Sequence, residues 1–277
     1  MPLQTTVVDG PAAPWVNGAD VYESMEPAFR DNLGGTPGKV EELLTRYWMR
    51  TLWIDPTTSR RIDHVRTEPG YIDLCEAYHD SVEEAYFLSG AVHLTAEGSF
   101  VGGDYFWRPP GWVHMAKSEQ GFESILMMEG ESPGDGSGRV SRVVRADHEA
   151  GSNPVFEGAS GIGPRGYVRR AETRFMVWRP HDDTVTGLGS TRLSSKLLSS
   201  NAVTEAATVL VALPKGTSTQ LETVPRERFV ISTSGTVTVD GQSLGACSLV
   251  HIPAGAPAPT LSCTEDAEIL VKAGGFQ

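Results

Sequence analysis

The chain has 277 residues, with 23 lysines and arginines against 35 aspartates and glutamates, so its formal net charge at neutral pH is −12. This acidic balance argues against nucleic acid or an anionic membrane as a partner, because binding to phosphate requires a basic footprint. Its length is typical of about two domains. Its three cysteines, Cys75, Cys247 and Cys263, are too far apart to indicate a disulfide framework or a structural zinc site.

Residues 1–36 are rich in proline, glycine and acidic residues, and we expect them to form an N-terminal arm with one short helix at residues 19–32. They contain no basic stretch followed by an apolar core, and no apolar run in the chain approaches the ~18 residues of a transmembrane helix. The sequence therefore predicts a protein with no signal peptide or membrane span, located in the cytoplasm.

Beyond the arm, short apolar runs alternate with turn residues at about the 8–12-residue spacing that is typical of all-β sandwiches and barrels. A stretch rich in glycine, serine and proline at residues 131–166 separates two halves of this kind. We therefore predict an all-β chain with two modules. The predicted boundaries are an arm at 1–36, a first module at 37–150, a linker at 151–172 and a second module at 173–277.

The individual strands are predicted from apolar runs bounded by turn residues. In the second half one such run is residues 174–178. The two halves also share landmarks, since Ser89-Gly90 is echoed by Ser234-Gly235 and Pro109-Pro110-Gly111 by Pro253-Ala254-Gly255. This repetition indicates a degenerate internal duplication of one β module.

The residues most suited to chemistry are His79, Glu83 and His114. His79 ends one predicted strand and Glu83 begins the next, so that ligands on both sides of a tight turn can converge inside a barrel. The segment from Gly103 to Gly111 forms a second strand and turn, which returns His114 to the same interior. Two imidazoles and one carboxylate form a three-point metal face with open positions, the pattern favoured by non-haem Fe(II).

These spacings resemble the two cupin motifs. His79-x3-Glu83-x6-Gly90 matches the later part of the first motif, and Gly103-x5-Pro109-x-Gly111-x2-His114 matches the second except for its last residue. The doubled glutamate followed by an apolar run is similar to the cupins related to the anti-sigma factor ChrR. The resemblance implies two cupin modules of the double-stranded β-helix (jelly-roll) type, a bicupin, and a homodimer.

The sequence departs from the cupin pattern at one position, where Ala77 replaces the first histidine of the usual pair. Three interpretations follow. The site is a two-His, one-carboxylate triad that resembles the iron-dependent hydroxypropylphosphonate epoxidase; or Cys75, on the same face by strand alternation, fills the gap; or the site has lost its metal. The second module has Arg228 at the position of Glu83, and we expect no metal ligands there.

The resemblance implies one divalent metal per chain, held by His79, Glu83 and His114. Fe(II) is the first expectation, with Mn, Ni, Zn or Cu as alternatives. Glu83 is also the candidate catalytic residue, as a base. The sequence offers seven further candidates for the substrate pocket, listed here with their positions: Arg66, Tyr71, Cys75, Ala77, His93, Trp107 and Met127.

The function expected from this resemblance is an Fe(II) oxygenase or dioxygenase that acts with O₂ on a small metal-chelating organic molecule. One alternative is a non-redox isomerase, cyclase or lyase, in which the metal polarises a carbonyl. Another is a non-catalytic sensor that binds a metal or ligand. The arm is too short for a zinc-binding anti-sigma domain and has no cysteine, which counts against the sensor.

Overall fold

The computed structural model describes residues 4–24, 42–58, 60–73, 75–79, 81–128, 142–143, 149–152, 168–189, 193–201 and 205–274. The chain divides into two compact units. The N-terminal unit is Pro14–Arg174, and the C-terminal unit is Phe175–Gln277 together with Met1–Ala13. No helix among these described residues is long and apolar enough to span a membrane.

Strands are the main secondary structure of both units, as predicted. Those of the first part of the chain are β1 (Thr6–Val8), β2 (Val16–Asn17), β3 (Tyr47–Ile54), β4 (Arg61–Thr67), β5 (Tyr71–Ile72), β6 (Ala77–Tyr78), β7 (Glu83–Leu94), β8 (Gly98–Val101), β9 (Asp104–Arg108), β10 (Ala116–Ser118), β11 (Phe122–Met128), β12 (Arg142–Val143) and β13 (Val168–Glu172). Those of the second part are β14 (Arg179–Pro180), β15 (Ser194–Ser200), β16 (Ala207–Leu213), β17 (Ser218–Gln220), β18 (Arg228–Ser234), β19 (Val237–Val239), β20 (Gln242–Leu244), β21 (Leu249–Ile252), β22 (Thr260–Ser262) and β23 (Ala267–Ala273).

Among the described residues helices are few and short. They include α1 (Gly18–Ser24) and α2 (Asp183–Thr186), and 3-10 helices cover Gly10–Ala12 and Thr173–Phe175. The helix expected at residues 19–32 is thus observed over its first part, and its remainder lies outside the described residues. The strand predicted at 174–178 is wrong: a 3-10 turn occupies its start, and Phe175 and Val177 are each 74% exposed, so this apolar run has no sheet to pack against.

The N-terminal unit is built around an antiparallel sheet with strand order β13-β9-β7-β11-β4-β3-β2. Strands β5, β8 and β10 join it through β7 and form the opposite layer. Aromatic and aliphatic side chains fill one end of the space between the layers, among them Phe87, Phe100 and Phe106. This sheet sandwich holds the predicted metal site.

The C-terminal unit repeats the architecture, with a sheet of order β1-β21-β18-β23-β16-β15-β14 and a second of order β17-β22-β19-β20. Its core is aliphatic, with Val211, Ile252 and Ile269 fully buried. Two segments extend past the expected module boundaries. β1, from the predicted arm, pairs with β21, and β13, from the predicted linker, pairs with β9, so that each covers the edge of a sheet.

Equivalent backbone contacts occur within each of the two units, which supports the duplication inferred from sequence. Gly111 donates its N–H to the carbonyl of His79 at 2.7 Å, and Gly255 donates to Val224 at 2.9 Å. Gly90 and Gly235 both have positive φ, at +74° and +72°. In both cases the glycine lies against the backbone of a neighbouring strand, where a Cβ would clash.

Replacement of Gly90 by alanine tests this close approach. A Cβ at Gly90 would lie 2.2 Å from the carbonyl oxygen of Gly121, whereas Gly98, at φ +96°, has nothing within 4 Å. We expect Gly98→Ala to cost about 1–2 kcal/mol from backbone strain alone, and Gly90→Ala about 1–3 kcal/mol more from the clash. Urea unfolding of both variants measures the difference, and equal losses would contradict the packing described.

Candidate metal centre

The three predicted ligands are brought together by a turn and a loop of the N-terminal unit. His79 directly follows β6, and Glu83 begins β7. His114 forms an isolated antiparallel bridge with Ala77, in which the N–H of each donates to the carbonyl of the other, at 2.9 and 3.0 Å. The loop after β9 is therefore tied to the turn between β6 and β7, and the three side chains meet there.

The geometry of the cluster suits one metal ion. One ligand atom from each of His79, Glu83 and His114 lies within 4.8 Å of the others. Nε2 of His114 is 3.7 Å from Oε2 of Glu83. An ion with bonds of about 2.1 Å holds adjacent ligand atoms about 3–3.5 Å apart. The widest separation in the set, at most 4.8 Å, closes to that range when each of the two side chains moves by about 1 Å. The donors present therefore fit a divalent cation.

Hydrogen bonding sets the tautomer of His114. Its Nδ1 is 3.0 Å from the carbonyl oxygen of Trp112, which can only accept, so Nδ1 carries the proton and Nε2 keeps its lone pair. Burial, reinforced by the positive charge of Arg108, lowers the pKa of His114 to about 3. At neutral pH the ring is thus uncharged, with its free nitrogen on the side of Glu83, as metal binding requires.

Glu83 is ionised although it is buried. Burial by itself would raise the pKa of Glu83, but the positive charge of Arg108, together with His114 and His79, lowers it to about 2. Nη1 of Arg108 donates to Oε2 of Glu83 at 2.9 Å. The carboxylate keeps lone pairs for a metal while its orientation is held from behind, as is usual for metal-ligating carboxylates.

Arg108 itself is buried between two carboxylates. Besides Glu83 it donates to Glu97 through Nε, at 3.1 Å, and through Nη2. Its guanidinium lies 3.9 Å from the ring centroid of Phe106. The side chain is 2% exposed, so the two ion pairs face little competition from water.

The cluster lies on the wall of a cavity of about 300 Å³ in the N-terminal unit. This volume is at the lower end of ligand pockets and suits a small molecule. Most of the remaining wall is apolar or aromatic, and its members include Tyr47, Met49, Val65, Tyr71, Ile72, Ala85, Phe87, Leu94, Phe106, Ala116, Phe122 and Leu126.

Three of the seven predicted pocket residues line this cavity: Tyr71, Cys75 and Ala77. The Cys75 thiol is free, but the group of metal-binding atoms found among the described residues does not include it. Burial also raises the pKa of Cys75, which keeps the thiol protonated and a poor ligand. The structure thus favours the triad over the interpretation in which Cys75 fills the position left by Ala77.

The structure places Arg66, His93, Trp107 and Met127 away from the cavity. Trp107 and Met127 both pair with Glu84, in the row next to Glu83, and so belong to the opposite face of the sheet. Arg66 follows Val65 in β4, and since Val65 lines the cavity, Arg66 faces the other side of the sheet. Its guanidinium lies 4.5 Å from the ring centroid of Trp15.

His93 was expected to face inward by unbroken alternation from Glu83. A bulge in β7 opposite Glu123 and Ser124 shifts the alternation by one residue. Val92 and Leu94 therefore join the core, and His93 is exposed.

Several polar cavity residues were not predicted. Arg61 and Tyr47 reach the cavity from β4 and β3, and Asp73 lies just after β5. Asp73 accepts hydrogen bonds from the Tyr71 hydroxyl and from the N–H of Ala116, the latter at 2.6 Å. Burial raises the pKa of Asp73 in spite of these bonds. Strand alternation in β4 could have located Arg61 in the sequence. Arg61 is four residues before Val65, so both side chains lie on the face of the strand that lines the cavity.

In the C-terminal unit, Arg228 begins β18 much as Glu83 begins β7. It is 1% exposed, and its Nη1 and Nη2 donate to the carbonyls of Thr186 and Glu222 at 2.9 and 2.7 Å. The equivalent position therefore carries a structural cation that binds backbone oxygens.

Comparisons with known proteins were made with the whole chain. No family model matches it, and no curated protein matches its sequence. Solved structures do match. A Nostoc punctiforme protein provisionally named a dioxygenase has a TM-score of 0.71 at 12% identity, over 99% of this chain and 83% of the other.

Two further structures match over nearly the whole chain. Escherichia coli pirin YhhW, solved with nickel(II), has a TM-score of 0.55 at 12% identity, over 98% of this chain and 99% of its own. Salicylate 1,2-dioxygenase from Pseudoaminobacter salicylatoxidans has a TM-score of 0.56 at 13% identity, over 99% of this chain and 82% of its own. Such low identities show the fold alone, which is all-β with two jelly-roll modules, as the sequence predicted. The ChrR-like character of the first module stays a prediction.

Loss of the Arg108 charge should reverse the pH dependence of stability at this site. In the wild type the pKa of Glu83 is below its unfolded value, so its contribution is present at neutral pH and is lost as pH falls from about 4.5 towards 2. Arg108→Met removes the cation that compensates the buried Glu83 and Glu97 and should cost about 3–5 kcal/mol at pH 7.

In that variant Arg108 no longer opposes the effect of burial, which raises the pKa of Glu83, so protonation of Glu83 should restore part of the stability at pH 5. Chemical denaturation at both pH values measures this, with Arg108→Lys as the control that keeps the charge. A loss in Arg108→Met that is the same at both pH values would contradict the role given to Arg108.

Proposed function

We propose that this protein is a mononuclear metal-dependent cupin enzyme that holds one divalent ion per chain through His79, Glu83 and His114. The observation that carries the proposal is the convergence of two imidazoles and one carboxylate on the wall of a small cavity. This facial donor set leaves further positions open and is typical of Fe(II) oxygenases. The reaction we propose is oxygenation, with O₂, of a small organic substrate that chelates the metal.

A bound Fe(II) ion would supply a site for activation of O₂ and of a chelating substrate. The residues of the chain prepare that site. Arg108 keeps Glu83 ionised, and the Trp112 carbonyl fixes the tautomer of His114. Ala77 offers only a methyl group where cupins usually have a third imidazole, which leaves room for a substrate that binds through two oxygens.

Phe87, Phe106 and Phe122 give this part of the cavity an apolar wall, which disfavours water there. Exclusion of water limits side reactions at an activated centre. The matched structures named as dioxygenases, from Nostoc punctiforme and Pseudoaminobacter salicylatoxidans, support this class of chemistry on the same fold. The homodimer and the cytoplasmic location remain predictions from sequence.

Metal content tests the ligand set directly. We expect wild-type protein purified without a metal-affinity column to contain about one iron per chain by elemental analysis. His79→Ala and His114→Ala should each lose at least about tenfold in metal affinity, because each removes one of three donors. His93→Ala is the matched control: the same change at an exposed histidine outside the cavity should leave the metal content unchanged.

Oxygen uptake with chelating diketones, catechols and hydroxy acids then tests the reaction. Stoichiometric zinc, manganese or nickel without oxygen uptake would replace the oxygenase by a non-redox isomerase or lyase. Absence of metal after anaerobic reconstitution with Fe(II), in a folded protein, would overturn the metal-enzyme proposal itself.

A further inference from the structure

Arg61 has a buried donor that none of the described residues accepts from. Its Nη1 is inaccessible to solvent and has no hydrogen-bond partner in the described part of the chain, and the side chain is 10% exposed. Its Nε donates to Oδ2 of Asp63 at 2.9 Å, and Asp63 also accepts from the Thr51 hydroxyl at 2.7 Å. A buried charged donor without an acceptor is costly. Because Arg61 also lines the cavity, a small rotation of its guanidinium would present Nη1 to an anion bound there.

The sheet register places Arg61 on the same face of the sheet as Glu83, two strands away. Arg61 pairs with Met128 of β11, and Met128 pairs with Glu83 of β7, so the three lie in one cross-strand row. Two strand spacings of about 4.8 Å separate the backbones of Arg61 and Glu83 by about 10 Å. Both side chains line the same cavity. That separation corresponds to the length of a small organic molecule.

Charge further distinguishes Arg61 from the other arginine of the cavity wall. Arg108 is engaged by both Glu83 and Glu97. Arg61 donates from Nε to one carboxylate, that of Asp63, which leaves Nη1 to donate a hydrogen bond to a second anion. The cavity wall beside Arg61 and Glu83 is largely apolar, because Leu126 and Ala85 occupy the next cross-strand row on the same face.

We infer that Arg61 binds the carboxylate of the substrate and thereby selects a small molecule with an anionic group at one end and metal-chelating oxygens at the other. The inference names the substrate class of the proposed function and rests on it for the metal-binding end. Recognition of the carboxylate depends on Arg61 alone and is measurable without metal. Guanidinium groups are well suited to it, because their donors match the geometry of a carboxylate.

Binding of simple carboxylates to the EDTA-treated full-length protein tests the inference. The probes are benzoate and hexanoate, each compared by calorimetry with its uncharged amide, benzamide or hexanamide. In the wild type we expect each acid to bind at least about tenfold more tightly than its amide, as loss of a charge-assisted hydrogen bond implies. Arg61→Met should abolish that preference.

Two further variants keep the result interpretable. Arg66→Met removes the same residue type from the opposite face of the same strand and should leave the preference intact. Arg61→Met combined with Asp63→Asn avoids a stranded carboxylate if the single variant fails to fold, and it should also abolish the preference. Equal binding of acid and amide by the wild type, or an unchanged preference in the Arg61 variants, would overturn the inference.

Metal analysis of the same samples separates this inference from the proposed function. Arg61→Met should retain the wild-type metal content, because Arg61 is not a ligand. If the protein holds metal but its preference for carboxylates does not depend on Arg61, the proposed function stands and the inference is overturned. If the protein holds no metal but its preference for carboxylates requires Arg61, the anion site stands and the oxygenase proposal is overturned.

Discussion

The ion pairs of Arg108 with Glu83 and Glu97 are the interaction on which the rest of the centre depends. A carboxylate in a cavity lined by phenylalanines would normally take up a proton, because burial disfavours its charged form. It would then be a poor metal ligand. Arg108 is placed opposite Glu83 by the register between β7 and β9, and it supplies the compensating charge from inside the sheet. The sheet register thus sets the electrostatics of the site.

The fold and the triad could be predicted because their signals are local in sequence. Glycines with positive φ mark two turns, at Gly103 and Gly111, and a position inside β7, at Gly90. The ligands lie at fixed distances from those turns, so spacing alone locates them. Strand alternation then failed where the backbone is irregular: the bulge in β7 moved His93 to the surface.

Contacts between distant strands could not be predicted in the same way. The pairing of Arg108 with Glu97 and the position of Arg61 depend on which strands are neighbours and in which register. Arg61 lies before the first motif and reaches the cavity only because β11 inserts between β4 and β7. A single sequence shows the alternation of β4 but not this strand order. The position of Arg61 beside the cavity therefore could not be predicted from its charge and spacing alone.

The two units show how one barrel position can take either charge. Glu83 and Arg228 begin corresponding strands and are both buried, at 7% and 1% exposure. The carboxylate is compensated by an arginine across the sheet, and the guanidinium by two carbonyl oxygens. A buried charge of either sign at this position therefore requires its own set of compensating partners.

Charge balance also links the two ends of the cavity. Glu83, Glu97 and Arg108 together carry one negative charge, and a divalent ion at the triad would leave one positive charge. Arg61 and Asp63 cancel, so these five side chains and the ion would together carry one positive charge. A substrate with one carboxylate would offset that charge, which lowers the cost of holding it in a largely apolar cavity. The metal end and the arginine end therefore favour the same small, singly charged chelator.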